Sequence, residues 1–338
     1  MNNNEKYQKF ALCREMLETP RVIREFDIPN LDVYVDDVKA SNEVLLTGEG
    51  SSRIFPAKRA ISQSLMKGES TRFITEGSTQ AMDYDLKNKT VFGSSNSGRT
   101  KELIRLFDKL KKAGHTGLYG VTASEDSTLE SYCKSTFVLN CGGEDAVAAT
   151  KSVAEQALFY DAVRAGLKGE DLKDLAGVAD AVEKALTLEI DPEVTKLIAG
   201  AGMIYFAGRN TGVAEELTLK TNEITRKKSD FLEGTYAAHG IEEVMNSDDV
   251  LIVVDPFEEE EEKFIKCLTD AVGVKIISIA ARKTSFTHSV VIPDAGDFQD
   301  YVELAAGWNL LVETGLELGI DLDTPVRARK VGNEYTPA

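Results

Sequence analysis

An α/β protein with two parallel sheets is predicted by three features of this chain. Short apolar runs ending in glycine-rich turns alternate with helical stretches. The alternation occurs twice, and the second round follows the first at a nearly constant offset. Gly48 and Gly208, each closing an apolar run, stand 160 residues apart, and Leu118 and Ile276 stand 158 apart. The runs opening near Thr90 and Val250 repeat the 160-residue spacing. Strands separated by helices pair in parallel, so the expectation is one α/β unit duplicated.

The elements follow in order. Residues 1–40 carry helical periodicity through Tyr7, Phe10, Leu12 and Met16, with Pro20 as a breaker. Residues 43–47 predict a buried strand, 54–66 a helix, 71–75 a short strand and 90–92 another. A helix from Lys101, strands at 117–121 and 136–139, and a helix over 151–165 complete the first round. The polar stretch 168–183 predicts a linking helix. In the second round, strands are expected at 203–207, 249–254, 275–279 and 289–292, with helices over 213–227 and 258–271. The predicted domains are a helical segment over 1–40, a first unit over 41–166, a linker over 167–193 and a second unit over 194–338.

Composition narrows the function. The 338 residues carry a net charge of −17, which opposes binding to nucleic acid or to an anionic membrane surface. The four cysteines, at 13, 133, 141 and 267, form no CxxC and have no histidine cluster beside them, so neither a zinc site nor a disulfide framework is expected. No apolar leader or membrane-length run is present, and a cytoplasmic location is expected.

Ligands of parallel sheets sit at the carboxyl ends of strands, where helix N-termini supply amides. That rule points to the loops at 48–53, 93–100, 208–212 and 255–258. In the first round, Ser95-Asn96-Ser97-Gly98-Arg99-Thr100 offers hydroxyls and a glycine suited to a phosphate. The same residues can also be read as a helix start capped by Ser97, with Thr100 in the first turn. The second round has Asp255-Pro256-Phe257 followed by five glutamates, which would repel an anion. One phosphate-type site is therefore expected, not two. Further on, Glu216, Lys220 and Glu223 share one face of the predicted helix over 213–227. From spacing alone that face is either a solvated Glu–Lys stripe or proton-transfer machinery.

Taken together, these motifs resemble the SIS (sugar isomerase) family, and within it the isomerase domain of glucosamine-6-phosphate synthases. Ser95 to Thr100 is similar to that family's Ser-Gln-Ser-Gly-Glu-Thr loop, Gly50-Ser51-Ser52 to its Gly-Thr-Ser, and Val147-Ala148-Ala149-Thr150-Lys151 to its Val-Ala-Ser-Thr-Lys. The resemblance runs from about residue 40 to 332 and implies tandem flavodoxin-like αβα sandwiches. It implies sugar-phosphate contacts at Ser51, Ser52, Ser95, Asn96, Ser97, Thr100, Val147 and Ala149. It further implies Glu223 as the proton-transferring base, with Glu216 a second glutamate nearby. His239 would be a ring-opening histidine contributed across a homodimer interface, and Lys330 a catalytic lysine of the C-terminal tail. The chain departs from the pattern at Ala149 (serine in the synthases), Arg99 (glutamate), Arg53 (an aromatic) and Ile241 (proline).

The implied activity is aldose–ketose isomerisation of a phosphosugar, with an amino-sugar 6-phosphate as substrate and deamination as a companion reaction. Side chains alone do this chemistry, so no metal or organic cofactor is expected. No cysteine stands at the N-terminus to serve a glutaminase. Two alternatives stay open: a fructosamine-6-phosphate deglycase and a non-catalytic sugar-phosphate sensor.

Overall fold

The computed structural model describes residues 1–327, 334 and 335. The chain divides into two compact units. One contains Arg21–Glu144 and Ala149–Leu175, together with Glu334 and Tyr335; the other contains Met1–Pro20, Asp145–Ala148 and Ala176–Ala328.

The unit containing Arg21–Glu144 is built on strands β1 (Glu43–Gly48), β2 (Arg72–Gly77), β3 (Thr90–Ser94), β4 (Leu118–Thr122) and β5 (Ser135–Val138). All pair in parallel, in the order β2-β1-β3-β4-β5. Alternate side chains serve opposite faces, as the strand period requires. Val44, Leu46, Phe92, Tyr119 and Val121 pack with Tyr34, Phe159, Tyr160 and Val163 on one side. Leu45, Val91 and Leu118 pack with Leu103, Ile104, Leu106 and Phe107 on the other. Those last four form the apolar stripe of the helix Lys101–Lys112, whose remaining face is largely charged.

The other unit repeats the plan with β6 (Ile204–Gly208), β7 (Ser229–Glu233), β8 (Val250–Val254), β9 (Lys275–Ala280) and β10 (His288–Val291). Its order, β7-β6-β8-β9-β10, is that of the first sheet, strand for strand. The two parallel sheets flanked by helices predicted from the repeat are therefore present.

Five local expectations change. Pro20 lies inside the helix Ala11–Arg24 rather than ending it; the burial of Met16, Thr19, Val22 and Ile23 offsets the lost amide bond. The linking helix starts only at Leu175. The helix from Val213 is α-helical to Lys220, widens into a π turn over Thr221–Thr225 and stops at Arg226, whose φ of 56° is left-handed. Strand β7 was not anticipated, because this sheet-edge segment has only Phe231 and Leu232 as apolar residues and only Leu232 is buried. The stretch 258–271 breaks into a 3-10 turn, one α turn and a π turn. Among the described residues, no helix is long and apolar enough to cross a membrane.

Strand order reverses between β1 and β3, and between β6 and β8, so each sheet has a crevice there at its carboxyl edge. Glycine makes both crevices. A Cβ on Gly48 would lie 2.6 Å from the Ser94 carbonyl oxygen, and one on Gly208 only 1.9 Å from that of Val254. Gly48→Ala and Gly208→Ala should each lower unfolding free energy in urea by about 2 kcal/mol or more, the scale of core overpacking. Gly200→Ala, with nothing within 4 Å of the added carbon, is the neutral control.

Candidate functional site

At the first crevice, β3 ends in register with Gly48, and the chain turns at once. The Ser95 amide donates to the Val121 carbonyl at 3.0 Å, and its hydroxyl meets that of Thr100 at 2.8 Å. The Gly98 amide closes the turn onto the Ser95 carbonyl at 3.0 Å. Gly98 is required twice over: its φ is 61°, and a Cβ would fall 2.4 Å from that of Ser127. The Asn96 carbonyl accepts from the Ala123 amide at 3.0 Å, the Thr122 hydroxyl at 3.2 Å and the Ser124 hydroxyl at 3.3 Å. The following helix begins at Lys101 with Thr100 as its N-cap, and no side chain caps it. The reading of Ser97 as cap is thereby corrected: its hydroxyl instead accepts from the Arg99 amide at 3.2 Å. The chain at this helix start also pairs with C-terminal residues: Thr100 forms an antiparallel bridge with Glu334, and the Tyr335 amide donates to the Arg99 carbonyl at 2.8 Å.

Gly50–Ser52 forms a single 3-10 turn beside this loop, with the Ser52 carbonyl 3.6 Å from where a Gly48 Cβ would sit. The fold thus brings Ser51 and Ser52 to the same crevice as Ser95, Asn96, Ser97 and Thr100. The stretch 147–151 is divided: Val147 groups with one unit, while Ala149, Thr150 and Lys151 group with the other. Ahead of Val147, the Glu15 carboxylate accepts from the amides of Asp145 and Ala146.

The second crevice carries an exposed ion pair instead of hydroxyls. The Arg209 guanidinium pairs with Asp255 and lies 4.2 Å over the Phe257 ring. The two crevices thus differ in their side chains: hydroxyls at one, and an Arg209–Asp255 ion pair at the other.

The Glu–Lys face is not a solvated stripe. Lys220 and Glu216 are both 0% exposed, and Glu223 is 24% exposed. The Lys220 ammonium lies 2.7 Å from Glu223 Oε2 and 3.3 Å from Glu216 Oε1. The π turn carries Glu223 at its centre. The Thr218, Thr221 and Thr225 hydroxyls donate to the carbonyls of Ala214, Leu217 and Thr221, respectively. Arg226 then grips the carbonyls of Asp321 at 2.7 Å and Thr324 at 2.6 Å, at the base of the C-terminal segment. Spacing could not show this bond, since the partners lie almost a hundred residues apart.

His239 is exposed, its Nε2 2.9 Å from the Lys263 ammonium. Glu223 comes just before β7 and His239 just after it, so the strand, roughly 16 Å long at about 3.3 Å per residue, separates them. Lys330 lies outside the described residues. Among the described residues, no three His, Cys, Asp or Glu side chains gather as a metal site.

The SIS domain model matches residues 69–164. A curated relative, the isomerizing glutamine–fructose-6-phosphate aminotransferase of Aeropyrum pernix, is 25% identical over 69% of this chain. The match spans only 41% of that relative's length. The C-terminal domain of glucosamine-fructose-6-phosphate aminotransferase from Francisella tularensis superposes with a TM-score of 0.78 at 19% identity, covering 95% of this chain and 100% of that one. Tagatose-6-phosphate ketose/aldose isomerase from Escherichia coli gives 0.78 at 18% identity, with 97% and 100% covered. Glucosamine-6-phosphate deaminase from Thermotoga maritima gives 0.74 at 18% identity, with 96% and 99% covered.

Removing the buried ammonium strands two carboxylates. Lys220→Met should cost about 3–5 kcal/mol of stability by chemical denaturation, the range for breaking a buried ion pair. Adding Glu216→Gln should recover part of the loss. Residues 69–164 therefore match the SIS domain model, within a chain whose fold is that of the C-terminal domain of glucosamine-fructose-6-phosphate aminotransferase from Francisella tularensis.

Proposed function

We propose that this protein is a phosphosugar aldose–ketose isomerase acting on an amino-sugar 6-phosphate, with deamination as a companion reaction. The observation that carries the reading is the bond from fully buried Lys220 to partly exposed Glu223. A buried cation is expensive unless paired, and here it orients one carboxylate that solvent and ligand can still reach.

In this reading the phosphate sits at the loop of Ser95, Asn96, Ser97 and Thr100, with Ser51 and Ser52 beside it, and Val147 and Ala149 line the sugar. Glu223 removes the proton from C2 or C1, leaving an enediol or enolamine, and returns it to the neighbouring carbon. Glu216 shares the Lys220 ammonium that holds Glu223 in place. His239 and Lys330 assist ring opening. The separation of Glu223 from His239 along β7 supports a homodimer in which the histidine comes from the second copy. Burial pushes the Cys13 thiol up to about 12, which supports a mechanism without that thiol as nucleophile. Solution in the cytoplasm is part of the same proposal.

The test is turnover of glucosamine 6-phosphate, galactosamine 6-phosphate and their ketoses, followed by sugar and ammonia readouts. Glu223→Gln should lower kcat by about 10²–10⁴-fold, the usual worth of a general base. Inactivity of the unaltered protein across the panel overturns the isomerase reading. Release of an amino acid from a fructosamine 6-phosphate would instead identify a deglycase. Binding without turnover, untouched by Glu223→Gln, would identify a sensor. Mixed Glu223→Gln and His239→Ala chains should regain activity as heterodimers; no recovery despite proven subunit exchange contradicts the shared site.

A further inference from the structure

We propose that Glu144 is a positioning residue of the phosphosugar site, orienting Asn96 and the start of the helix Lys151–Leu167; this rests on the phosphosugar reading above. Glu144 is 7% exposed. Its Oε1 accepts from the Thr150 amide at 2.6 Å and the Thr150 hydroxyl at 3.0 Å. Its Oε2 accepts from Asn96 Nδ2 at 3.1 Å and from the Ser152 hydroxyl. All these residues belong to one unit.

The constraint on Asn96 is specific. Three donors already occupy its backbone carbonyl, so the carboxamide is its adjustable part. A carboxylate offers only acceptors, which fixes the NH₂ toward Glu144 and the carboxamide oxygen away from it. Among the described residues the side chain has no other hydrogen bond, so that oxygen and the second N–H are available to a ligand. The same carboxylate caps Thr150 and Ser152, where negative charge at a helix N-terminus is favourable. One buried group thereby joins the phosphate loop to the segment beginning at Ala149.

As a bare charge, Glu144 would oppose an arriving phosphate, and this sets the sign of the test. Calorimetry on the full chain would measure inorganic phosphate and fructose 6-phosphate binding to the unaltered protein, Glu144→Gln, Asn96→Ala and the double variant. Positioning predicts about tenfold weaker binding of both probes in each single variant, the loss of one charge-assisted hydrogen bond's worth of order. It predicts little further loss in the double variant, and a rise in KM that exceeds the fall in kcat. Tighter binding by Glu144→Gln would show a simple repulsive charge. Unchanged binding with a lowered Tm would show a helix cap only. Either result overturns the assignment while leaving the phosphosugar reading intact. Failure of the unaltered protein to bind either probe overturns both.

Discussion

Each sheet depends on a glycine at the end of the strand beside its switch point. Gly48 and Gly208 let β1 and β6 lie against the carbonyls of Ser94 and Val254 at distances no side chain permits. The strands that diverge there open the crevice at which the chain places its loops. In the first copy the crevice meets serines, an asparagine and an uncapped helix. In the second, Arg209 pairs with Asp255 and lies over the Phe257 ring. One backbone constraint supports both outcomes, and the side chains alone distinguish them.

The second organising feature is buried charge. Glu216, Lys220 and Glu223 would be a modest surface network if solvated, worth a few tenths of a kcal/mol per pair. With Lys220 and Glu216 at 0% exposure, desolvation outweighs that gain, and a well-packed apolar triplet would serve stability as well or better. The π turn beneath Glu223 and the left-handed Arg226 that ends it add local strain. Such accumulated costs are typical of functional rather than structural positions. Glu144 follows the same logic in the other unit: a buried carboxylate made tolerable by donors drawn from two segments.

The repeat was legible because its signals are local. Glycine after an apolar run, hydroxyls before a helix and the fourfold spacing of Leu103, Ile104 and Phe107 each follow from backbone geometry over a few residues. The phosphate-type loop and the difference between Asp255 and Ser95 could be read for the same reason. Strand β7 could not, since an edge strand with one buried side chain lacks the apolar period that marks its neighbours. Nor could the break at Lys220, where threonine hydroxyls bonded to the preceding turn compete with a regular helix.

By itself the sequence determined the α/β class, the duplication and the parallel sheets, because these rest on periodicity and on glycine's freedom. Whether Glu216 and Lys220 faced water or the interior was decided only by tertiary structure: helical spacing puts residues on one face but does not say what covers it. The same holds for Glu144, which no motif marks and whose role depends on meeting Asn96 across forty-eight residues of chain. It holds for Arg226 and for the distance along β7 between Glu223 and His239. These are long-range relations, set by which surfaces the core brings together, and no local pattern encodes them.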